Sequence, residues 1–294
     1  MIGRKEMNES ETIVKNSMFA DILRRFLRNR AAVLGFVIIL VFLVCSIVPQ
    51  LISPYDPYEQ DLYNQFKAPS SEHWFGTDEY GRDILSRVIW GCQTSLSIGL
   101  ISVGISCCLG IIIGCAAGYN GGILDNILMR GIDILMAIPT TLLGISIVAA
   151  FGQSMTNLIL AISLGSICPY ARLVRVSILS VKDKEFVEAA RATGASDMRI
   201  IFKYILPNCL APIIVQATMS IASAIMLATG LSFLGLGVPQ PTPEWGSMAS
   251  AGRNYIRDYW WLVTYPGLAI MATVFSFNLF GDGLRDALDP KLKS

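Results

Sequence analysis

An all-α membrane protein with six transmembrane helices is the fold class this sequence predicts, and three observations carry that expectation. Of its 294 residues 53% are hydrophobic and only 15% charged, with a mean hydropathy of +0.54, outside the usual soluble range. The apolar residues gather into charge-free runs long enough to cross a bilayer, which takes about 20 residues in helix. The basic residues fall unevenly between those runs: with six spans, eighteen of the twenty-three Lys and Arg lie on one side. That bias predicts both termini in the cytoplasm.

In chain order, residues 1–30 read as a cytoplasmic segment ending in a basic amphipathic helix over 18–30. Phe19, Ile22, Leu23 and Phe26 share one face, and Arg24, Arg25, Arg28 and Arg30 lie just before the first span. This pattern suits an anionic membrane surface. No signal peptide is expected, because the apolar run starts late and lacks a small-residue cleavage site. The first span covers 31–52. The polar stretch after it contains Pro54, Pro57 and Pro69, which discourage regular structure. It closes on Ile84, Leu85, Val88 and Ile89 opposed to Arg82, Asp83 and Arg87, a pattern predicting a helix on the outer surface of the bundle.

The second span, 94–119, carries Ser102, Ser106, Gly110, Gly114 and Gly118 at four-residue spacing. Such a stripe lets another helix approach closely; packing inside the bundle is preferred here over a seam with another subunit. The third span is expected at 134–151, with Asp133 at its inner end and Pro139 inside it, and the fourth at 158–174, containing Pro169. Prolines at such positions bend helices and offer one way to open a path, though they are common in membrane helices generally. The apolar stretch 204–238 is too long for one simple span. A crossing at 209–229 is expected, with the glycine-rich tail turning back along the outer half. An outer loop at 240–261 and a last span at 262–280 complete the pattern. The expected divisions are 1–30, 31–92 for the first span and extracytoplasmic loop, 93–284 for a five-helix core, and 285–294 for a cytoplasmic tail.

A polar island, 181–207, separates the fourth and fifth spans. Its Glu, Ala and Arg residues favour helix, Gly194 suits the left-handed position that ends one, and Ser196-Asp197 can cap another. Ile200, Ile201, Tyr204 and Ile205 would share a face of that second helix. The six-span count places this helix–glycine–helix elbow in the cytoplasm, where a soluble partner can grip it.

Several chemistries lose ground. There is no phosphate-binding G-x-x-x-x-G-K-[ST] and no H-E-x-x-H or G-x-S-x-G. His73 is the single histidine, and the seven cysteines form no C-x-x-C pair, which reads as small buried side chains. A net charge of +1 argues against nucleic acid. Apart from Arg172 near the end of the fourth, the spans hold no Asp, Glu, Lys, Arg or His, whereas an ion-coupled carrier keeps such a group in its path. A carrier or channel is therefore the second reading and a membrane enzyme a distant third.

The order HWFGTDEYGRDILSRVIWG, EAARATGAS with ILPN, ATGLSFLGLG, PTPEWG and GDGLRDALDP resembles the permease subunits of ABC-type importers. The likeness is to the second-type permease of the dipeptide, oligopeptide and nickel branch, and it extends from about residue 20 onward. It implies the ABC type I importer permease fold and an elbow that docks on ATP-hydrolysing subunits, with Glu188, Ala189, Ala190 and Gly194 as the coupling residues. The implied partners are a homologous second permease, two ATPase subunits, an extracytoplasmic solute-binding protein and membrane lipid. ATP and Mg would sit on the ATPases, with no catalytic residue, cofactor or metal in this chain. Peptides are the leading substrate, with nickel or a metal chelate as alternative, and no substrate-contacting residue is marked. Tyr80 departs from the pattern, which has a smaller aliphatic residue there.

Overall fold

The computed structural model describes residues 20–288, whose regular elements are all helical. They are α1 (20–28), α2 (Arg30–Ile47), a short α3 (Pro49–Ile52), α4 (Ile84–Asn120), α5 (Gly122–Met136), α6 (Thr140–Phe151) and α7 (Met155–Leu179). After these come α8 (Glu185–Ala192), α9 (Asp197–Arg199), a π-helical turn (Ile200–Ile205), α10 (Leu206–Phe233), α11 (Trp245–Gly252) and α12 (Trp261–Leu288). Among the described residues five helices are long and apolar enough to cross a membrane: α2, α4, α7, the run Asp197–Phe233 and α12. A sixth crossing exists if α5 and α6, bent by 82° at their junction, count as one span.

The helix expected to lie on the surface is instead the first two turns of α4. Asp83 caps it, accepting from the Ser86 amide at 2.8 Å, and 37 residues then run unbroken through position 92. At 1.5 Å per residue the rod is about 55 Å long, well beyond the hydrocarbon core. Ile84 and Val88 are buried against Trp245 and Trp261, while Arg82, Asp83 and Arg87, expected to face water, are each 2–3% exposed. Local alternation had marked two faces. It could not tell that other parts of the chain cover both.

The third span is also different from a single helix over 134–151. Proline disfavours helical conformation in the residue before it; α5 ends at Met136 and α6 starts after Pro139. Pro169, Pro212 and Pro266, by contrast, sit inside helices that continue through them. α10 contains the expected 209–229 crossing and extends it at both ends. The loop between α10 and α12 carries α11, whose Trp245 is fully buried and donates from Nε1 to the Val88 carbonyl at 2.9 Å.

At the N-terminal side, α1 packs Ile22 and Phe26 toward α2 and α12, with the Phe26 ring 5.3 Å from that of Phe280. Leu23 is 46% exposed, off the packed face. The expected contributions of Met18 and Phe19, and the end of GDGLRDALDP, lie outside the described residues.

The stripe on α4 packs inside the bundle, against α7. A Cβ added to Gly110 would lie 2.3 Å from that of Tyr170, and one on Gly114 would lie 2.7 Å from the Ala171 carbonyl oxygen. Ser106 Oγ crosses the seam to donate to the Ser163 carbonyl at 2.9 Å. Backbones this close gain dispersion contacts that larger residues would forbid. Replacing Gly110 by Ala should therefore lower the midpoint of thermal unfolding in detergent, an overpacking cost of about 1–3 kcal/mol. Gly104→Ala on the same helix, where a Cβ meets nothing within 4 Å, should leave the midpoint unchanged or raise it slightly, since alanine is the better helix former.

Candidate functional site

The elbow stands on the end of the α4–α7 seam. α7 gives way to a tight turn, and α8 follows with Glu185 and Glu188 in its first turn and Arg191 in its last. Those signs complement the partial charges at the helix ends. One side of α8 is apolar: Val187 and Ala190 are buried with Val174, Ile178, Ile200, Ile205 and Cys209. Gly194 ends the helix at φ +75°, its amide donating to the Arg191 carbonyl at 2.9 Å and that of Ala195 to the Ala190 carbonyl at 3.1 Å. This pair of bonds is a Schellman closure, which needs the left-handed conformation glycine adopts freely.

Side chains tie the elbow to neighbouring helices. Tyr119, at the end of α4, donates to Asp197 Oδ1 at 2.5 Å, and the Arg191 guanidinium lies 5.7 Å from the Tyr119 ring centre. Beside them Arg175 of α7 binds Asp125 of α5 through two bonds at 2.5 and 2.6 Å, and Arg172 reaches Asp133 at 2.6 Å.

The four residues singled out from sequence divide by role. Glu188 and Ala189 lie on the exposed side of α8, Gly194 is exposed with open space where a Cβ would go, and Ala190 is 5% exposed, packed into the elbow's own base. Of the two adjacent alanines, Ala189 thus faces outward and Ala190 inward. The sequence reading missed three large apolar side chains beside this face: Phe186, Met198 and Phe202, which are 40%, 65% and 58% exposed. Their signal is present, as apolar residues inside an otherwise polar island.

From Asp197 the chain runs into α10 without a break, so the elbow's second arm is the foot of a span rather than a separate helix. Ile200 and Ile205 are buried there as expected, with Ile201 and Tyr204 half-buried against them. The π turn has a local cause. Pro207 lacks an amide and its ring crowds the carbonyl four residues back, so the last turn before it loosens.

The opposite end of the bundle holds a buried polar network. Asp78 Oδ2 accepts from Arg82 Nε at 2.6 Å and lies 3.6 Å from Arg87 Nε. Arg87 also donates to the carbonyls of Pro57 and Pro241, at 2.9 and 3.3 Å, clamping two loops together. His73 Nδ1 is 3.0 Å from Asp83 Oδ1. The Arg82 guanidinium sits 4.5 Å from the Tyr80 ring centre, a cation–π contact that gives this unusual tyrosine a place. Glu244, 1% exposed, caps α11 by accepting from the amides of Gly246 and Ser247 at 2.8 and 2.7 Å, and from Ser232 Oγ at 2.9 Å. Burial pushes its carboxyl above the usual carboxylate range, and these hydrogen bonds partly offset the push.

Membrane-length helices bearing a tethered elbow with exposed apolar side chains define the class: the membrane subunit of a transporter. The fold is that of an ABC importer permease, aligning with the MetNI methionine ABC transporter in an inward-facing conformation at a TM-score of 0.56, with 19% identity over 69% of this chain and 97% of that one. Residues 110–294 match the family described as binding-protein-dependent transport system inner membrane component, and residues 17–69 match the N-terminal TM domain of oligopeptide transport permease C. The dipeptide transport system permease protein DppC of Alkalihalophilus pseudofirmus is 44% identical, covering 95% of this chain and 91% of its own length. DppC of Haemophilus influenzae is 46% identical, covering 91% and 93%. This chain belongs to the family of binding-protein-dependent transport system inner membrane components. It is a multi-pass permease subunit, a transport component rather than an enzyme.

Glu244→Ala would strip the cap from α11 and leave the Ser232 hydroxyl and two amides without their acceptor. It should lower the detergent unfolding midpoint by the equivalent of about 1–3 kcal/mol. Glu244→Gln keeps one of the two acceptor oxygens but turns an NH2 donor toward a backbone N–H, so its midpoint should fall between those of the parent and Glu244→Ala in the same measurement.

Proposed function

We propose that this chain is the permease subunit of an ATP-driven peptide importer, forming half of a translocation path for di- and oligopeptides delivered by an extracytoplasmic solute-binding protein. The observation that carries the reading is the continuity of elbow and span: α9, the π turn and α10 form one rod. A soluble ATPase that moves the elbow would thereby move a membrane-crossing helix. The exposed Phe186, Met198 and Phe202 supply the apolar area such a partner would bury, and Glu188 a charge at its rim.

We infer six crossings from parity. α4 ends beside the elbow, whereas α7 starts at the far end, where Gln153 donates to the Gly235 carbonyl after α10. The α5–α6 pair must then carry the chain across. Six crossings put both termini and the elbow on one side, and the excess of basic residues assigns that side to the cytoplasm. A path enclosed by one such bundle is not expected; a second, homologous permease would complete it, with two ATPases holding ATP and Mg beneath. Peptide cargo is supported by relatives named for dipeptides and by the pattern of motifs. Nickel or a metal chelate is the alternative cargo.

Gly194→Asp tests the coupling. No neighbour obstructs a side chain at this position, and Asp is among the residues most tolerant of positive φ, so the strain should stay near 1–2 kcal/mol. Uptake into vesicles should fall about tenfold or more, and co-purification of the ATPases should weaken, while membrane insertion is kept. Normal uptake by this variant would sink the assignment. In the parent complex uptake should require ATP and stop with orthovanadate; uptake abolished by a protonophore alone would instead favour an ion-driven carrier.

A further inference from the structure

α10 has two exposed faces of opposite chemistry. Leu210 and Ile214, 41% and 45% exposed, form an apolar face suited to lipid. Roughly half a helical turn away, at 3.6 residues per turn, Gln216, Ser220 and Ser223 follow one another at helical spacing near the middle of the span. An amide and two hydroxyls in lipid-facing positions would forfeit their hydrogen bonds at mid-membrane. This second face is therefore built for another environment.

Three further observations say which. Gln216 lines an open groove of about 420 Å³ with Pro212 and Met219 of α10, Leu173 of α7, and Arg285 and Leu288 of α12. Gln216 Nε2 donates to Ser220 Oγ at 3.2 Å, but among the described residues its carbonyl oxygen accepts nothing and the exposed Ser223 hydroxyl makes no bond. Behind the face, Tyr170 of α7 is completely buried, yet its hydroxyl has no hydrogen-bond partner; Ser220 is its polar neighbour on α10. Buried hydroxyls are seldom left unpaired. An unused amide oxygen and an unbonded hydroxyl thus lie on one strip of α10, with the Tyr170 hydroxyl buried behind it.

We propose that this strip, Gln216, Ser220 and Ser223 backed by Tyr170, is the stretch of the transport path that hydrogen-bonds to cargo. Its ligand is an uncharged amide backbone, such as that of a short peptide. The inference rests on the importer reading and adds the contacting residues to it. Gln216, Ser220 and Ser223 carry no charge, although Arg285 of α12 lines the same groove, so recognition on the strip itself comes from amide and hydroxyl pairing, which tolerates varied side chains. Because the strip lies on the rod that begins at the elbow, movement of α8 and α9 would shift the same groups that hold the cargo.

The test uses the full transporter complex in nanodiscs, where water reaches both faces. Ser223→Cys and Ile214→Cys are treated with a membrane-impermeant thiol reagent, with and without excess dipeptide, and modified sites are assigned by peptide mapping. Ser223→Cys should react and dipeptide should slow that reaction several-fold, whereas Ile214→Cys should stay unmodified. In parallel, Gln216→Leu should still assemble into the complex while raising the KM for dipeptide uptake several-fold. A Ser223→Cys that never reacts, or is cross-linked to a helix of the partner permease, overturns the proposal; so does labelling at an unchanged rate with dipeptide present. Failure of the importer reading itself looks different: the parent complex shows no ATP-dependent uptake, whatever the thiols report.

Discussion

The close crossing of α4 and α7 is the constraint on which the rest of the bundle depends. Ser102, Ser106, Gly110, Gly114 and Gly118 bring the two backbones together over four turns, and the far end of that seam is the ground on which the elbow stands. Gly118 faces Ile178 and the Arg175 carbonyl; Ile178 and Val174 then receive Val187 and Ala190 of α8. Without the small residues the helices would part by the width of a side chain, and the apolar side of α8 would have no matching surface. Seam packing and elbow position are thus parts of one arrangement.

The elbow joins two mechanical regimes. α8 is short, capped by a Schellman turn and held by side-chain contacts to Tyr119 and the core. α9 is the start of a 37-residue rod. The π turn at Ile200–Ile205 lies between them and the membrane-embedded part, where the missing amide of Pro207 leaves the helix less tightly wound. Under the proposed coupling, a displacement applied to exposed Phe186 or Glu188 would pass through this turn into α10. That helix presents its polar strip at mid-span.

At the opposite end the structure relies on charge rather than on close packing. Asp78, Arg82 and Arg87 are buried together, and the guanidinium of Arg87 reaches two loop carbonyls that are far apart in sequence. Charges taken from water persist only when paired and fully hydrogen-bonded, and here the loops supply the remaining acceptors. The network fixes where segment 53–83 and α11 sit relative to the head of α4. It also explains why the motif containing these residues is so rich in both signs of charge.

Charge-free runs near 20 residues determined by themselves that this is a helical membrane protein, because burying a backbone in lipid leaves helix as the economical solution. The small-residue stripe announced its own role, since four-residue spacing on a helix admits few others, and Gly194 announced a left-handed cap. Other signals were local and ambiguous. Pro139 and Pro169 look alike in sequence, yet the first separates two helices at 82° and the second lies within one. Arg82, Asp83 and Arg87 looked like a wetted face until partners from distant loops covered them. Ala189 and Ala190 are adjacent and identical, and only the packing of α8 on Val174 and Ile178 turns one outward and one inward. What tertiary structure decided was which neighbour each side chain meets, because the free energy of a charge, a proline or a small residue is set by what surrounds it.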